Sequence, residues 1–222
     1  MTAVRLAPSI LAADIGHLAE EIARAEAGGA DMIHVDVMDG RYVPNLTFGA
    51  KVIAAARKAT RLPLDVHLMV VEPEQYIASF ADAGASHFIF HPDATRHVQR
   101  QLVAVRELGM RAGLALNPAD SLTEVAEVLD DLDQLLLMTV NPGFGGQHYI
   151  PAATDKIRRA RALLDRAGSR IWLEVDGGIT PETIAEVHGA GADTFVAGSA
   201  VFGAPDPGEA LRELRRRCAV NV

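Results

Sequence analysis

The chain of 222 residues contains one cysteine, Cys218, and only three lysines. A single thiol excludes an internal disulfide framework and fits a reducing compartment. The lysines all lie in stretches with helical periodicity: Lys51, Lys58 and Lys156. Because a Schiff-base aldolase needs a lysine at the end of a strand, this distribution argues against that chemistry.

Sequence features typical of several partners and reactions are also missing. There is no basic block, and the net charge is −8 with acidic and basic residues interspersed, so we expect no nucleic-acid partner. No apolar run approaches the ~20 residues that cross a membrane, and the N-terminus lacks a signal-peptide pattern, so we expect a cytoplasmic protein without membrane contact. The absence of a GxSxG elbow, a Walker loop and a GxGxxG at the first helix disfavours covalent catalysis and nucleotide chemistry.

Short apolar runs rich in Val, Ile and Leu alternate with longer amphipathic stretches along the chain. The hydrophobic content of 49% is enough for a large core. The predicted strands are residues 4–8, 31–38, 64–69, 87–91, 111–116, 134–140, 171–176 and 194–198. The predicted helices are residues 16–27, 49–59, 73–83, 95–108, 121–131, 151–167, 181–189 and 207–218. Eight strand–helix units in alternation predict an α/β protein that is a single (β/α)8 TIM barrel.

The domain organisation follows from a weak internal repeat. A helix ending in glycine, a short turn and a new strand recur in AGGADMIHVD (27–36), AGASHFIFH (83–91) and AGADTFVAG (190–198). No linker, low-complexity segment or change in composition divides the chain, so residues 1–222 are interpreted as one domain. The alternative is an open doubly wound sheet, which normally has fewer strands and two edges.

Polar residues and methionines occur where the predicted strands end. Side chains alternate between the two faces of a strand, so one face of 31–38 carries Met32, His34, Asp36 and Met38. In a barrel the C-terminal strand ends face the functional site. The residues at such ends are Ser9, His34, Asp36, Met38, His67, Met69, Met138 and Asp176.

Four of these residues could bind one divalent ion. They are His34, Asp36, His67 and Asp176. Two nitrogen and two oxygen ligands suit Zn, Fe(II), Mn or Co better than Mg or Ca. An isolated histidine is better explained as a hydrogen-bonded polar residue, but four ligands on three strand ends favour a metal site.

Two carboxylates and three methionines have less specific patterns. Asp65 and Glu174 point inward one layer deeper and are interpreted as buried structural carboxylates that need partners. Core filling is the usual role of methionine. Met38, Met69 and Met138 would instead surround the metal and could line a site where a flat anionic intermediate forms.

Glycine-rich segments follow the last three predicted strands. The segment 141–147, NPGFGGQ, has three glycines that free the backbone to wrap a ligand and could close as a lid, although an ordinary turn is the alternative. Gly177-Gly178 and Gly198-Ser199 stand where barrels commonly hold a phosphate through backbone N–H groups. Neither turn contains arginine or lysine, so a phosphate would rest mainly on backbone donors.

The motifs together resemble those of the ribulose-phosphate 3-epimerase family and cover essentially the whole chain. They are APSILAAD (7–14), HVDVMDGRYVPNLTFG (34–49), DVHLMV (65–70), LNP (116–118), MTVNPGFGGQ (138–147), LEVDGGI (173–179) and FVAGSAVF (195–202). The resemblance implies a (β/α)8 barrel of the ribulose-phosphate-binding type. It also implies interconversion of D-ribulose 5-phosphate and D-xylulose 5-phosphate, in the pentose phosphate pathway and, in photosynthetic organisms, the Calvin cycle.

The resemblance also implies roles for individual residues. The family's ligands for one divalent ion correspond to His34, Asp36, His67 and Asp176, and its acid/base pair corresponds to Asp36 and Asp176. The residues that correspond to its substrate-binding segments are Ser9, His67, Gly143, Phe144, Gly145, Gly146, Asp176, Gly177, Gly178, Gly198 and Ser199. Its site-lining methionines correspond to Met38, Met69 and Met138.

Three alternative functions remain at this stage. Allulose-6-phosphate 3-epimerases tend to vary the second glycine of two motifs, whereas this chain keeps Gly145-Gly146 and Gly177-Gly178. An indole-synthesising lyase would want a catalytic Glu or Lys at a strand end without this metal set. A non-catalytic sugar-phosphate-binding barrel would not need the acid/base pair. Because such barrels often associate through their helices, we expect a homo-oligomer that acts on a small sugar phosphate.

Overall fold

Eight parallel strands form the centre of the protein. The structure is a computed structural model and describes residues 4–219. The strands are β1 (Arg5–Pro8), β2 (Ile33–Met38), β3 (Leu64–Met69), β4 (His87–Phe90), β5 (Arg111–Leu116), β6 (Gln134–Met138), β7 (Trp172–Asp176) and β8 (Thr194–Ala197). Each strand pairs in parallel with its neighbour in the order β1-β8-β7-β6-β5-β4-β3-β2.

The helices cover the outside of this sheet. They are α1 (Leu18–Ala27), α2 (Ala50–Ala59), α3 (Ile77–Ala83), α4 (Val98–Glu107), α5 (Thr123–Ala126), α6 (Ala153–Arg166), α7 (Ile184–Gly189), α8 (Ser199–Phe202) and α9 (Pro207–Ala219). Among the described residues, no helix combines the length and apolar character needed to cross a bilayer. The alternation of strand and helix is the one that the sequence predicts.

Two details of the predicted helices are wrong. The stretch 121–131 is one α-helical turn, α5, followed by the separate 3₁₀ turn Leu129–Asp131. The short helix α8 directly after β8 was not predicted, because four residues are too few to show a helical period. Neither difference changes the order of the strands.

Contacts at both ends of β1 and β2 close the sheet into a barrel. Ser9 and His34 form an isolated parallel bridge just beyond β1. At the other end, the backbone N–H of Asp31 donates to the carbonyl of Leu6 at 3.0 Å. The Asp31 carboxylate in turn accepts from the Leu6 N–H at 2.7 Å. The fold is therefore the predicted (β/α)8 TIM barrel, and an open sheet with two free edges is excluded.

The two faces of the strands bury different chemistry. The outward row Ile33, Val35 and Val37 is completely or almost completely buried against the helices, with Ile53 of α2 in the same cluster. Inside the barrel, β4 to β6 contribute one apolar cluster of Ile89, Ala115, Leu136 and Met138. The polar interior residues lie mainly on β2, β3 and β7, which places the site on that side.

Aromatic and cationic side chains close the N-terminal end of the barrel. Trp172 begins β7, and its ring lies 3.8 Å from Arg5 Cζ and 4.1 Å from Arg111 Cζ, measured to the ring centroid. A guanidinium over an indole face is a favourable cation–π contact. A cavity for a ligand is therefore found at the C-terminal end.

Close packing between α1 and α9 gives a test of the fold. A Cβ atom added at Gly28 would lie 2.3 Å from Gly208 Cα. We expect Gly28→Ala to lower the free energy of unfolding by about 1–3 kcal/mol, because the two helices must separate. Urea denaturation measures this difference.

Gly189→Ala is the matched control. This glycine also lies at a helix end, and an added Cβ would meet nothing within 4 Å. Its free energy of unfolding should stay within about 0.5 kcal/mol of the wild-type value. Equal effects of the two substitutions would show that the contact between α1 and α9 is not the cause.

Candidate active site

A cavity of about 630 Å³ opens at the C-terminal ends of the strands. Such a volume is typical of sites for small ligands. The predicted site residues that line it are Ser9, Asp36, Met38, Met69, Met138, Gly143, Phe144, Gly145, Gly146, Asp176, Gly177, Gly178, Gly198 and Ser199. The other two predicted residues, His34 and His67, are fully buried next to Asp36. The barrel thus brings every predicted site residue together.

Four of these side chains converge. One nitrogen or oxygen atom from each of His34, Asp36, His67 and Asp176 lies within 4.8 Å of the others. Asp36 Oδ1 is 3.3 Å from His34 Nε2 and 3.3 Å from His67 Nδ1. Asp176 Oδ2 is 4.0 Å from His67 Nδ1. Two imidazole nitrogens and two carboxylates therefore surround one point.

The chemistry of this set fits a divalent cation. His34 Nε2 is buried and has no hydrogen-bond partner, although Asp36 Oδ1 is near. A buried polar atom without a partner is costly, so its presence in a polar cluster calls for an explanation. An ion at the centre of the cluster would supply the missing partner, and the mixed nitrogen and oxygen donors suit Zn, Fe(II), Mn or Co.

The two carboxylates of the cluster have different protonation properties. Burial alone would raise the pKa of Asp36, but the neighbouring His34 and His67 outweigh it and hold that pKa below its usual range. Burial, and then the negative charge of Asp36, raises the pKa of Asp176 to about 7. Two carboxyl groups whose environments separate their pKa values are typical of an acid/base pair.

Hydrogen bonds hold Asp36 in place from two directions. The Ser9 hydroxyl donates to Asp36 Oδ2 at 2.5 Å. The Thr47 hydroxyl donates to the Asp36 backbone carbonyl at 2.6 Å. Thr47 lies in the loop after β2 and was not singled out by the sequence, because a threonine in a loop carries no distinctive pattern.

A second polar layer lies deeper in the barrel. Asp65 Oδ2 is 2.6 Å from His34 Nδ1. Asp65 Oδ1 lies 3.1 Å from His87 Nδ1 and accepts from Gln134 Nε2 at 3.1 Å. Gln134 Nε2 also donates to Glu174 Oε2. Asp65 and one oxygen of Glu174 thus have partners, as the sequence suggested, whereas Glu174 Oε1 is buried without a hydrogen bond. The partners His87 and Gln134 were missed.

Glu174 differs from Asp65 in charge. Burial, and then the negative charge of Asp65, raises the pKa of Glu174 well above its usual value. For Asp65, hydrogen bonds and charges from His34 and His87 outweigh burial and lower the pKa below the usual range. The two carboxyl groups of this layer therefore have pKa values that are shifted in opposite directions.

His91 contacts the far side of His67. The two Nε2 atoms are 2.9 Å apart, and His91 Nδ1 is buried without a hydrogen-bond partner. The ring of Tyr42 lies 4.8 Å from the His91 ring, measured between centroids. His91 was also missed, although it stands directly after β4 and continues the alternation of the inward residues His87 and Ile89.

The predicted lid segment, residues 141–147, lies at the cavity mouth. Gln147 Nε2 donates to the backbone carbonyls of Asn141 at 2.6 Å and Phe144 at 2.9 Å. Asn45 Nδ2, from the loop after β2, donates to the carbonyl of Gly143 at 3.2 Å. The Phe144 side chain is exposed at the mouth. The position of this segment suits a cover over the cavity.

Glycine-rich turns after β7 and β8 form another wall of the cavity. Gly178 has a φ of +66°, and a Cβ added there would lie 2.4 Å from the backbone N of Tyr149, so the position requires glycine. Gly198 and Ser199, where α8 begins, line the same cavity. Neither lysine nor arginine is among the described residues that line it.

Comparison with known proteins assigns a family to this sequence. Residues 5–202 match the ribulose-phosphate 3 epimerase family. The chain is 57% identical over 208 residues to ribulose-phosphate 3-epimerase 1 of Cupriavidus necator, covering 92% of this chain and 86% of that protein. It is 50% identical to the ribulose-phosphate 3-epimerase of Escherichia coli K12 over 96% of both chains. It is 48% identical to the ribulose-phosphate 3-epimerase of Bacillus subtilis, covering 96% of this chain and 98% of that protein.

Solved structures with the same fold are more distant in sequence. The 3-keto-L-gulonate-6-phosphate decarboxylase of Vibrio cholerae has a TM-score of 0.74 and 17% identity, covering 99% of this chain and 98% of that one. A 3-hexulose-6-phosphate synthase has a TM-score of 0.67 and 23% identity, covering 98% and 99%. At these identities the likeness shows the barrel fold alone.

The raised pKa of Glu174 can be tested by its effect on stability. The folded protein binds the Glu174 proton more tightly than the unfolded chain does, so wild type loses stability as pH rises above the ordinary value of 4.5. Glu174→Gln removes this loss. We expect the free energy of unfolding of the variant, relative to wild type, to rise by at least ~1.4 kcal/mol between about pH 4.5 and 8, in urea titrations.

Glu107→Gln is the control because Glu107 is exposed on α4. Its stability relative to wild type should change by less than about 0.5 kcal/mol over the same pH range. If the free energy of unfolding of Glu174→Gln relative to wild type stayed constant or fell as pH rises, the Glu174 carboxyl would already be ionised in the folded protein.

Proposed function

Because this chain belongs to the ribulose-phosphate 3-epimerase family, and is therefore an isomerase, we propose that it interconverts D-ribulose 5-phosphate and D-xylulose 5-phosphate through two carboxylates around a divalent ion. The observation that carries this proposal is the convergence of two imidazoles and two carboxylates at the cavity floor. The retained pairs Gly145-Gly146 and Gly177-Gly178, with the names of the relatives, favour the pentose over allulose 6-phosphate.

The ligands of the proposed ion are His34, Asp36, His67 and Asp176. A bound Zn, Fe(II), Mn or Co ion supplies Lewis-acid stabilisation of the negative charge that develops on the substrate oxygens during proton removal. The protein contributes the geometry of the ligands. The hydrogen bond from Ser9 and the burial of both histidines limit the movement of these side chains.

Asp36 and Asp176 act as the acid/base pair in this proposal. Epimerisation removes the proton on C3, next to the C2 ketone, and returns a proton to the opposite face. Asp36 lies in β2, two residues before its end, and Asp176 is the last residue of β7; only β1 and β8 lie between these strands around the barrel. The two carboxyl groups can therefore flank a substrate, and the separation of their pKa values suits one base and one acid.

The rest of the cavity holds and covers the substrate. The turns at Gly177-Gly178 and Gly198-Ser199 offer backbone N–H groups to the phosphate. The segment 141–147 excludes water while the proton is in transit. Met38, Met69 and Met138 line the polar centre with side chains that carry no charge. Binding of the phosphate keeps C3 between the two carboxylates while its configuration inverts.

The setting of the enzyme is also a proposal. We place it in the cytoplasm as a single catalytic domain, residues 1–222, that assembles into a homo-oligomer. The lone thiol of Cys218 is buried, and burial raises its pKa to about 11, which suits a structural role in a reducing compartment. Most soluble oligomers are symmetric homo-oligomers.

Metal removal tests the proposed function. Dialysis against a strong chelator should abolish conversion of D-ribulose 5-phosphate in a coupled assay, and Mn, Co, Zn or Fe(II) should restore it. The reason is that two carboxylates without the ion would have to face a developing anion. Elemental analysis must accompany each assay. Full activity in metal-free protein would refute the metal role, and higher kcat/KM on D-allulose 6-phosphate would favour the hexose phosphate as substrate.

Solvent exchange tests the two-base mechanism. In deuterated water the product epimer should gain deuterium at C3, because its proton comes from a carboxyl group in exchange with solvent. Asp36→Asn and Asp176→Asn should each abolish net epimerisation. If metal is retained, each variant should still exchange the C3 proton of one epimer slowly, and the two variants should favour opposite epimers, as measured by NMR.

Metal content must be measured in both variants, since each lost carboxylate is also a proposed ligand. Transfer of the original proton to the product without exchange would argue for one shuttling base. The same conclusion would follow if both metal-loaded variants exchanged the same epimer.

A further inference from the structure

The two histidines of the cluster present different nitrogens to the centre. His34 presents Nε2 and His67 presents Nδ1, each 3.3 Å from Asp36 Oδ1. A neutral imidazole has one N–H and one lone pair, and only the lone pair binds a metal. The two rings can therefore serve one ion only if they adopt opposite tautomers. The partners of the outer nitrogens decide whether they do.

Asp65 is the partner of the outer nitrogen of His34. Its Oδ2 lies 2.6 Å from His34 Nδ1, and both residues are fully buried. Its Oδ1 faces His87 Nδ1 and the amide N–H of Gln134, each at 3.1 Å. Because Gln134 donates to Oδ1, Oδ2 is the Asp65 oxygen that remains to accept from His34 Nδ1. With Oδ2 as the acceptor, the hydrogen of neutral His34 lies on Nδ1, and the lone pair is left on Nε2.

His91 is the partner of the outer nitrogen of His67. The two Nε2 atoms are 2.9 Å apart, and only one hydrogen fits between them. If His67 Nδ1 binds the ion, the hydrogen belongs to His67 Nε2 and His91 Nε2 accepts it. The hydrogen of His91 must then sit on its Nδ1, which is the buried atom without a partner. In that arrangement the unpartnered N–H of His91 would cost free energy, and His67 would gain an acceptor for its hydrogen.

We propose that Asp65 and His91 are positioning residues that hold His34 and His67 in opposite tautomers, so that Nε2 of one and Nδ1 of the other bind the same divalent ion. This inference rests on the metal site of the proposed function. It adds that the two ligands have different kinds of partner, since a carboxylate accepts from His34 and a neutral imidazole accepts from His67. Partners of this kind commonly change metal affinity 10–100-fold.

The tautomers can be observed directly in the wild-type protein. Long-range proton–nitrogen NMR spectra of the zinc-loaded protein with nitrogen-15-labelled histidine distinguish ring nitrogens that carry hydrogen, lone pair or metal. We expect His34 to carry hydrogen on Nδ1 and zinc on Nε2, and His67 the reverse. The same tautomer in both rings, or zinc on the outer nitrogens, would overturn the proposal. This measurement needs no variant, so it is decisive even where a substitution prevents folding.

Substitutions test whether the partners are the cause. Asp65→Asn and His91→Phe should each weaken zinc binding about 10–100-fold, in competition with a chelator, and should disturb the tautomer of the adjacent histidine. Phe keeps the ring packing of His91 against His67 and Tyr42 but removes the acceptor. His91→Gln keeps an acceptor oxygen, and it should bind zinc more tightly than His91→Phe does.

Asp193→Asn is the matched control, since it neutralises a buried carboxylate at the start of β8, away from the cluster. Its zinc affinity should match the wild-type value. Wild-type affinity in folded Asp65→Asn and His91→Phe would overturn the proposal while leaving the epimerase function intact. Zinc binding with the expected tautomers but no turnover would refute the function alone. A wild-type protein that binds no zinc, manganese, cobalt or iron(II) would refute this inference together with the metal site.

Discussion

The position of the Asp36 carboxylate is the constraint on which the rest of the site depends. One oxygen faces both imidazoles at 3.3 Å, and the other accepts from Ser9 at 2.5 Å. The Ser9 contact exists because the chain leaving β1 bridges to His34 and closes the barrel. The bridge that closes the barrel therefore also positions Ser9 in the site. A barrel left open between β1 and β2 would lose the hydrogen bond from Ser9 to the Asp36 carboxylate.

Burying this many charges requires that they compensate one another. The neighbouring histidines lower the pKa of Asp36 and Asp65, whereas burial and the negative charge of Asp65 raise the pKa of Glu174. Unpaired buried charges would be far more costly than these pairs. On β4 to β6 the apolar side chains of Ile89, Ala115, Leu136 and Met138 pack together, and the polar His87 and Gln134 contact Asp65 from the same strands. The positions of the buried acidic side chains thus depend on which strands also place a histidine next to them.

The sequence predicts the parts of the fold and site that depend on period and order. Alternation along 31–38 places His34 and Asp36 on the inner face, and the barrel brings Asp176 beside them. The partners were not predictable in the same way. His87 and His91 also alternate correctly, but nothing in a sequence says which ring contacts which carboxylate or ring. Short elements such as α8 are not predictable either, because a single helical turn is too short to show a hydrophobic period.

The acidity of the site bears on how an anionic substrate could enter it. The chain carries a net charge of −8, and the described cavity lining contains two aspartates and neither lysine nor arginine. A sugar phosphate would be repelled there unless its two ends meet different environments. Backbone N–H groups at the glycine turns can take the phosphate without adding a charged side chain, and a divalent ion can offset Asp36 and Asp176 at the other end. The proposed ion would then be needed for substrate binding as well as for proton transfer, because the carboxylates proposed to transfer the proton also repel the substrate.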